Sequence, residues 1–198
     1  MTTGPTRREV VIAGHSSDLA TATAGLASAD ATVRIAALGA LDRLGKLTAA
    51  DLMAATCDPT ASVRRRAAEL AASHPDVDLL PLLADDDVNV VEIAAWSCGE
   101  RAGVGDAVLS RLIQLTTGAD EPLVRESCAA ALGAIGDSRG LPAILAACED
   151  KPAVRRRAIL ALAPFAGDDV RAAVQHALDD RDWQVRQAAE DLWRAWNE

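Results

Sequence analysis

Large aromatic side chains are scarce in this sequence, and their scarcity bears on the fold class. The 198 residues include no tyrosine, one phenylalanine and four tryptophans, whereas 50% of the residues are hydrophobic. Sandwiches and barrels of β-strands favour aromatic and β-branched residues, so the composition speaks against them. An apolar fraction carried by alanine, leucine and valine suffices for a core and is typical of helices that pack closely through small side chains.

Positive charge is also in deficit, because the formal net charge at pH 7 is −9. Proteins that bind DNA or RNA usually carry a basic face that neutralises phosphates. We therefore do not expect a nucleic acid as the partner. A basic partner fits better, since opposite charge speeds and orients the encounter.

Paired cysteines and long apolar runs are missing as well. The four cysteines form no CxxC pair and each sits among apolar residues, which predicts buried thiols in a reducing compartment. No cofactor is expected. No run approaches the roughly 20 apolar residues of a membrane span. The first nine residues contain no apolar signal core. The sequence thus predicts a cytoplasmic protein without a membrane segment.

What the sequence does contain is an internal repeat. A valine followed by arginine, and four residues after the valine a small residue, recurs at intervals of 27–34 residues. The Val-Arg copies lie at residues 33–34, 63–64, 124–125, 154–155 and 185–186, with a degenerate copy at 90–91. Positions 0, 4 and 8 from the valine share one helical face, so each copy predicts an amphipathic helix, called helix B.

A second helix, called helix A, is expected before each helix B. The predicted A helices lie near residues 18–27, 49–56, 77–84, 106–116, 141–148 and 170–178. A short acidic turn joins each A helix to its B helix. Aspartate at a helix N-terminus accepts bonds from free backbone N–H groups, so these turns are predicted to be caps and not metal sites.

The repeat resembles the HEAT-repeat family, in particular its short bacterial branch named after phycobilisome lyases. The resemblance is closest at Gly136–Ala143, which enters a helix A, and at Val124–Gly133 and Val185–Leu192 in B helices. It implies an all-α fold, an armadillo-like superhelix or α-solenoid of about six antiparallel helix pairs. The expected domain covers residues 16–198, with repeats near 17–45, 46–74, 75–103, 104–136, 137–167 and 168–198.

In that family the arginine of helix B and the turn aspartate commonly pair between neighbouring repeats. By resemblance, a structural arginine ladder is expected at Arg34, Arg64, Arg125, Arg155 and Arg186. The basic clusters at 64–66 and 155–157 are expected to be neutralised by the acidic turns, with anion binding as the alternative. The third repeat breaks the pattern, because Val91 replaces the ladder arginine.

The third repeat is also the predicted binding site. Glu92, Trp96 and Glu100 follow each other at spacings of four, so they form one strip on helix B. In HEAT arrays the B helices line the concave side, where Glu69 and Glu126 of neighbouring repeats would flank this strip. An indole beside carboxylates suits a peptide that carries lysine or arginine. The alternative is that Trp96 fills a groove between B helices and the glutamates are ordinary solvated residues.

Both ends of the chain depart from the repeat. Residues 1–15 are expected to form a cap or to be partly disordered. Three tryptophans crowd the last helix pair. Trp193 and Trp196 fall on the core face and predict a cap for the terminal repeat, with an oligomer contact through Trp183, Trp193 and Trp196 as the alternative.

The predicted function is a non-catalytic protein-interaction scaffold. The alternatives are HEAT-like enzymes: DNA-repair glycosylases, which use a basic concave face, and chromophore lyases. The deoxyhypusine hydroxylases of this type hold iron through His-Glu dipeptides. Here the histidines are followed by Ser16, Pro75 and Ala177, so the sequence predicts neither a metal nor a catalytic group.

Overall fold

The computed structural model describes residues 4–197, and within them it contains twelve α-helices and no β-strand. The predicted all-α repeat fold is therefore confirmed. The chain divides into two compact units, Met1–Leu82 and Leu83–Glu198. No helix in the described part is long and apolar enough to cross a membrane.

The first unit begins with a helix that lies outside the repeat pattern. Helix α1 starts at a capping box in which Thr6 and Glu9 each bond the other's backbone N–H. Its Val10 is fully buried and lies close to Gly25. The α-helices of this unit are α1 (Arg7–Ser16), α2 (Leu19–Gly25), α3 (Ala31–Arg43), α4 (Ala49–Thr56) and α5 (Ala61–Leu70).

The second unit holds the remaining helices in A–B alternation. Its B helices α6, α8, α10 and α12 pack side by side in chain order, and α7, α9 and α11 are the A helices. The ranges are α6 (Val88–Gly99), α7 (Asp106–Gly118), α8 (Pro122–Ile135), α9 (Leu141–Ala147), α10 (Pro152–Ala161), α11 (Asp168–Ala177) and α12 (Trp183–Ala195).

The predicted third A helix, at residues 77–84, is wrong. The segment forms turns and a single 3-10 turn at Leu82–Ala84. Pro81 lacks a backbone N–H and disfavours helical geometry at the residue before it. Asp78 accepts a bond from the N–H of Leu80 at 2.9 Å and so stabilises a competing turn. Leu79 and Leu83 are nonetheless fully buried, so the segment keeps its apolar anchors without the helix.

The B helices bury the face that the repeat pattern predicts. The repeat valine is at most 4% exposed in all six B helices, and the small residue four positions later is fully buried in each. Close packing between B helices also uses glycine. A Cβ at Gly133 of α8 would lie 2.6 Å from the Cα of Ala161 on α10, so only glycine fits there without a shift.

Polar side chains cap the starts of several helices. Thr48 caps α4. Ser17 ends α1 in the left-handed region, and the next residue, Asp18, caps α2. Turn aspartates accept backbone bonds at the starts of B helices, as Asp30 does from Thr32 at 2.8 Å.

Candidate functional site

Three ladder arginines make doubly hydrogen-bonded ion pairs with the turn aspartate about 25 residues further along the chain. Arg34 reaches both carboxylate oxygens of Asp58 at 2.7 Å. Arg125 bonds Asp150 at 2.5 and 2.8 Å. Arg155 bonds Asp180 at 2.8 and 2.7 Å. Two parallel bonds fix the orientation of both groups, so each pair connects one helix B to the following turn.

The Nη1 group of each ladder arginine donates a hydrogen bond to a backbone carbonyl oxygen in the turn before its own helix. Nη1 of Arg155 donates to the carbonyl oxygen of Asp150 at 2.7 Å, and Nη1 of Arg186 donates to that of Asp180 at 2.7 Å. Arg64 donates in the same way to the carbonyl oxygen of Asp58 at 3.0 Å. These carbonyls lie just after A helices, where helical partners run out. A ladder arginine therefore holds the turn before it as well as the turn after it.

The electrostatics of the paired aspartates agree with a structural role. Hydrogen bonds from Arg34 lower the pKa of Asp58, those from Arg125 lower the pKa of Asp150, and those from Arg155 lower the pKa of Asp180. Each paired aspartate also caps a nearby N–H, for example Asp180 that of Asp182 at 2.7 Å. Because their hydrogen-bonding groups are already engaged, the paired arginines hold the fold and offer little to a ligand.

Near Val91, where the ladder arginine is missing, an arginine of the neighbouring helix A binds a backbone carbonyl. Nε of Arg111, in the middle of α7, donates to the carbonyl oxygen of Leu83 at 3.2 Å. The repeat pattern did not predict this contact, although Arg111 is the only cationic residue of α7 and was a visible signal. Val91 itself is buried.

The strip predicted on the third helix B lines a groove between α6 and α8. The groove has a volume of about 460 Å³, and Glu92, Trp96 and Glu100 line it together with Glu126 of α8. Trp96 is 41% exposed although it is one of the largest apolar residues in the chain. The floor is made of small residues of α8, chiefly Ala130, Ala131 and Ala134. We call this the Trp96 groove.

Four of the five predicted contact residues thus meet in one place. The fifth, Glu69, lies on α5 in the first unit and pairs with Arg66 at 2.8 Å. Within the Trp96 groove, Glu126 faces Arg157 of α10, with Nε and Oε1 3.5 Å apart. The expectation that the acidic turns neutralise residues 155–157 holds for Arg155 but not for Arg157, which turns to a glutamate on the preceding helix B.

The free acidity of the groove therefore comes from α6. Among the residues that the structure describes, Glu92 and Glu100 form no ion pair. They flank the indole of Trp96 on either side along the helix. An exposed indole between a half-buried and an exposed glutamate, both without an ion-pair partner among the described residues, can bind the alkyl stem and the charge of a lysine or arginine side chain.

The tryptophans of the last helix pair separate into two kinds. Trp193 and Trp196 contact each other, with ring centroids 6.4 Å apart, and the guanidinium of Arg171 on α11 lies 5.7 Å from the ring centroid of Trp193. Trp183, at the start of α12, is 64% exposed. Two rings are thus engaged within their own helix pair, and one is presented to solvent.

Residues typical of metal or nucleophilic chemistry are dispersed. Within residues 4–197, no group of three or more His, Cys, Asp or Glu side chains is placed to hold a metal ion. The prediction of buried thiols is right for Cys98 and Cys128 and wrong for Cys57, which is exposed, while Cys148 is half-buried. Burial raises the pKa of Cys128 to about 12. A thiol with such a pKa stays protonated near neutral pH.

The middle of the chain is similar in sequence to a known repeat family. Residues 77–153 match the model of the family described as HEAT repeats. This segment contains α6 to α9 and the residues of the Trp96 groove that lie on α6 and α8. No curated protein sequence matches the chain.

Comparison with solved structures extends the similarity to most of the chain. An engineered protein is 19% identical with a TM-score of 0.64, covering 89% of this chain and 95% of its own. A designed armadillo repeat protein in complex with the peptide (KR)4 is 18% identical with a TM-score of 0.65, covering 91% and 100%. Human deoxyhypusine hydroxylase in complex with glycerol is 20% identical with a TM-score of 0.50, covering 96% and 78%. At these identities the likeness concerns the fold alone: the chain has an α-solenoid fold like that of the designed armadillo repeat proteins, and the match to the HEAT-repeat model is confined to residues 77–153.

Proposed function

We propose that this protein is an interaction module that binds a basic segment of a partner protein in the Trp96 groove. The observation that carries the proposal is the groove itself. An exposed tryptophan is flanked by two unpaired glutamates on α6, over a floor of small residues on α8. Aromatic anchors in grooves are typical centres of protein recognition.

The chemistry of the groove selects for lysine or arginine. The alkyl stem of such a side chain packs on the indole, and its charge reaches Glu92 or Glu100. The net charge of −9 adds long-range attraction for a basic partner. The designed armadillo protein with a similar fold is complexed with a peptide written (KR)4, which makes an alternating Lys-Arg octapeptide a suitable first probe.

The test measures binding of that octapeptide, labelled with a fluorophore, by fluorescence anisotropy. The double substitution Trp96→Ala with Glu92→Lys is expected to weaken binding by about tenfold or more, since it removes an aromatic anchor and reverses a charge. Raising the ionic strength should weaken wild-type binding as well.

The matched control changes the same residue types elsewhere in the second unit. Trp183→Ala with Glu190→Lys removes another exposed tryptophan and reverses an exposed charge on α12. This control is expected to bind like the wild type. Equal affinities for the wild type and the Trp96→Ala, Glu92→Lys variant would show that the groove is not the site.

A further inference from the structure

An apolar row crosses three B helices of the second unit. It consists of the residue six positions after each repeat valine: Trp96 on α6, Ala130 on α8 and Leu160 on α10. Trp96 and Leu160 are 41% and 39% exposed, so both ends of the row face solvent. The equivalent residue on α12 is the exposed Asp191. The apolar row therefore ends at α10.

The charges beside the apolar row change sign along it. Two positions after each valine lie Glu92 on α6, Glu126 on α8 and Arg156 on α10. Glu92 is reinforced by Glu100, whereas Glu126 is balanced by Arg157. Arg156 forms no ion pair with any residue in the range 4–197. The surface is thus acidic over α6, neutral over α8 and basic over α10.

We infer that the partner segment is bipolar: basic residues over α6, apolar residues along the row, and acidic residues over α10. This inference rests on the proposed function, because it describes the occupant of the same groove and its extension over α10. A uniformly basic segment would place its far end against Arg156, where like charges repel. Charge complementarity therefore limits the basic part to one end.

The spacing of the helices sets the length of the segment. Packed helices lie roughly 8–10 Å apart, so α6 and α10 are separated by about 16–20 Å. An extended chain advances about 3.3 Å per residue. Basic and acidic groups about five or six residues apart would therefore match the two ends of the row.

The experiment compares two peptides of identical composition and zero side-chain charge. The block peptide is Lys-Lys-Val-Ala-Val-Ala-Glu-Glu, and the scrambled peptide is Lys-Glu-Val-Ala-Val-Ala-Glu-Lys, both with blocked termini. Binding is followed through the indole N–H signal of Trp96 in ¹⁵N NMR titrations of the whole chain, which detect weak affinities. The block peptide is expected to bind about three- to tenfold tighter, as exposed ion pairs contribute modestly.

The substitution Arg156→Glu tests the basic end directly. It is expected to abolish the preference for the block peptide and to strengthen binding of the Lys-Arg octapeptide. Arg8→Glu, which makes the same charge change on the exposed side of α1, should leave both results unaltered.

The outcomes distinguish the two proposals. Equal binding of block and scrambled peptides, or a preference unaffected by Arg156→Glu, would overturn the bipolar occupant while Trp96-dependent binding of the octapeptide still supports the groove. If Trp96 responds to none of the peptides, both proposals are wrong.

Discussion

At the scale of single residues, the ladder arginines illustrate how much the surroundings of an ion pair matter. Arg155 is 6% exposed and makes two bonds to Asp180. Arg139 forms similar bonds to Asp106 and Asp137, but its side chain is 57% exposed. Exposed pairs contribute little because water competes for both partners, whereas a buried carboxylate left alone is costly.

We therefore expect Arg155→Ala to lower the free energy of unfolding by about 2–4 kcal/mol, since Asp180 loses its partner in a mostly buried site. Urea titration monitored by far-UV circular dichroism measures this. Arg155→Lys should recover only part of the loss, because an ammonium group cannot make the two parallel bonds. Arg139→Ala is the control and should change little; equal losses in the two alanine variants would contradict this account.

At the scale of helices, the contact between α8 and α10 depends on a missing side chain. Gly133 lies against the backbone of Ala161, with 2.6 Å between an added Cβ and the Cα of that residue. Backbone cannot move aside as a flexible side chain can, so the two helices would have to separate.

Gly133→Ala is accordingly expected to destabilise the protein by about 1–3 kcal/mol, although alanine has the higher helix propensity. Gly118→Ala, at the exposed end of α7 with nothing within 4 Å of the added Cβ, should be neutral or slightly stabilising. Thermal unfolding of both variants checks the opposite signs. A stabilised Gly133→Ala variant would show that the helices are not in close contact there.

Periodicity predicted the B helices well because burial repeats with the helical period. Val90 and Ala94 were assigned to the core from spacing alone, and both are fully buried. The helix predicted at 77–84 is absent because Pro81 disfavours helical geometry and Asp78 stabilises a turn. The spacing of apolar residues contains no information on either effect. A short apolar segment can supply anchors such as Leu79 in several backbone conformations.

The candidate site was only partly predictable for a related reason. Glu92, Trp96 and Glu100 share one helix, so their alignment follows from the sequence. Arg157 belongs to another helix, and its approach to Glu126 depends on how α8 and α10 pack. Contacts between elements of this kind are not encoded in the spacing of either helix.

At the scale of the whole molecule, the lowered pKa values of Asp58, Asp150 and Asp180 make stability depend on pH. Hydrogen bonds from arginine hold these pKa values below that of an unfolded aspartate, which is about 3.9. The paired carboxylates thus contribute their full stabilisation above that value. They lose it as the pH falls through the unfolded and then the folded pKa.

The free energy of unfolding should therefore be nearly constant between about pH 6 and 7 and fall below about pH 4.5. A variant with Asp58→Asn, Asp150→Asn and Asp180→Asn should be less stable at pH 7 and show a shallower fall. Urea titrations at pH 7 and pH 3.5 measure how much the free energy of unfolding falls in the wild type and in the variant. An equal fall in both proteins would mean that the ladder does not contribute to acid unfolding.

The two-sided bonding of Arg155 has a consequence for how such chains lengthen. A segment of about 30 residues that contains Asp150 and Arg155 supplies an aspartate that binds the arginine of the preceding repeat. It also supplies an arginine that binds the aspartate of the following repeat. Copies of that segment fit one another without any new residue, so a tandem duplication of its coding sequence would yield compatible neighbours. The segment around Val91 has a valine in place of the ladder arginine. A duplicate of that segment would therefore leave the aspartate of the next repeat without an arginine partner at this position.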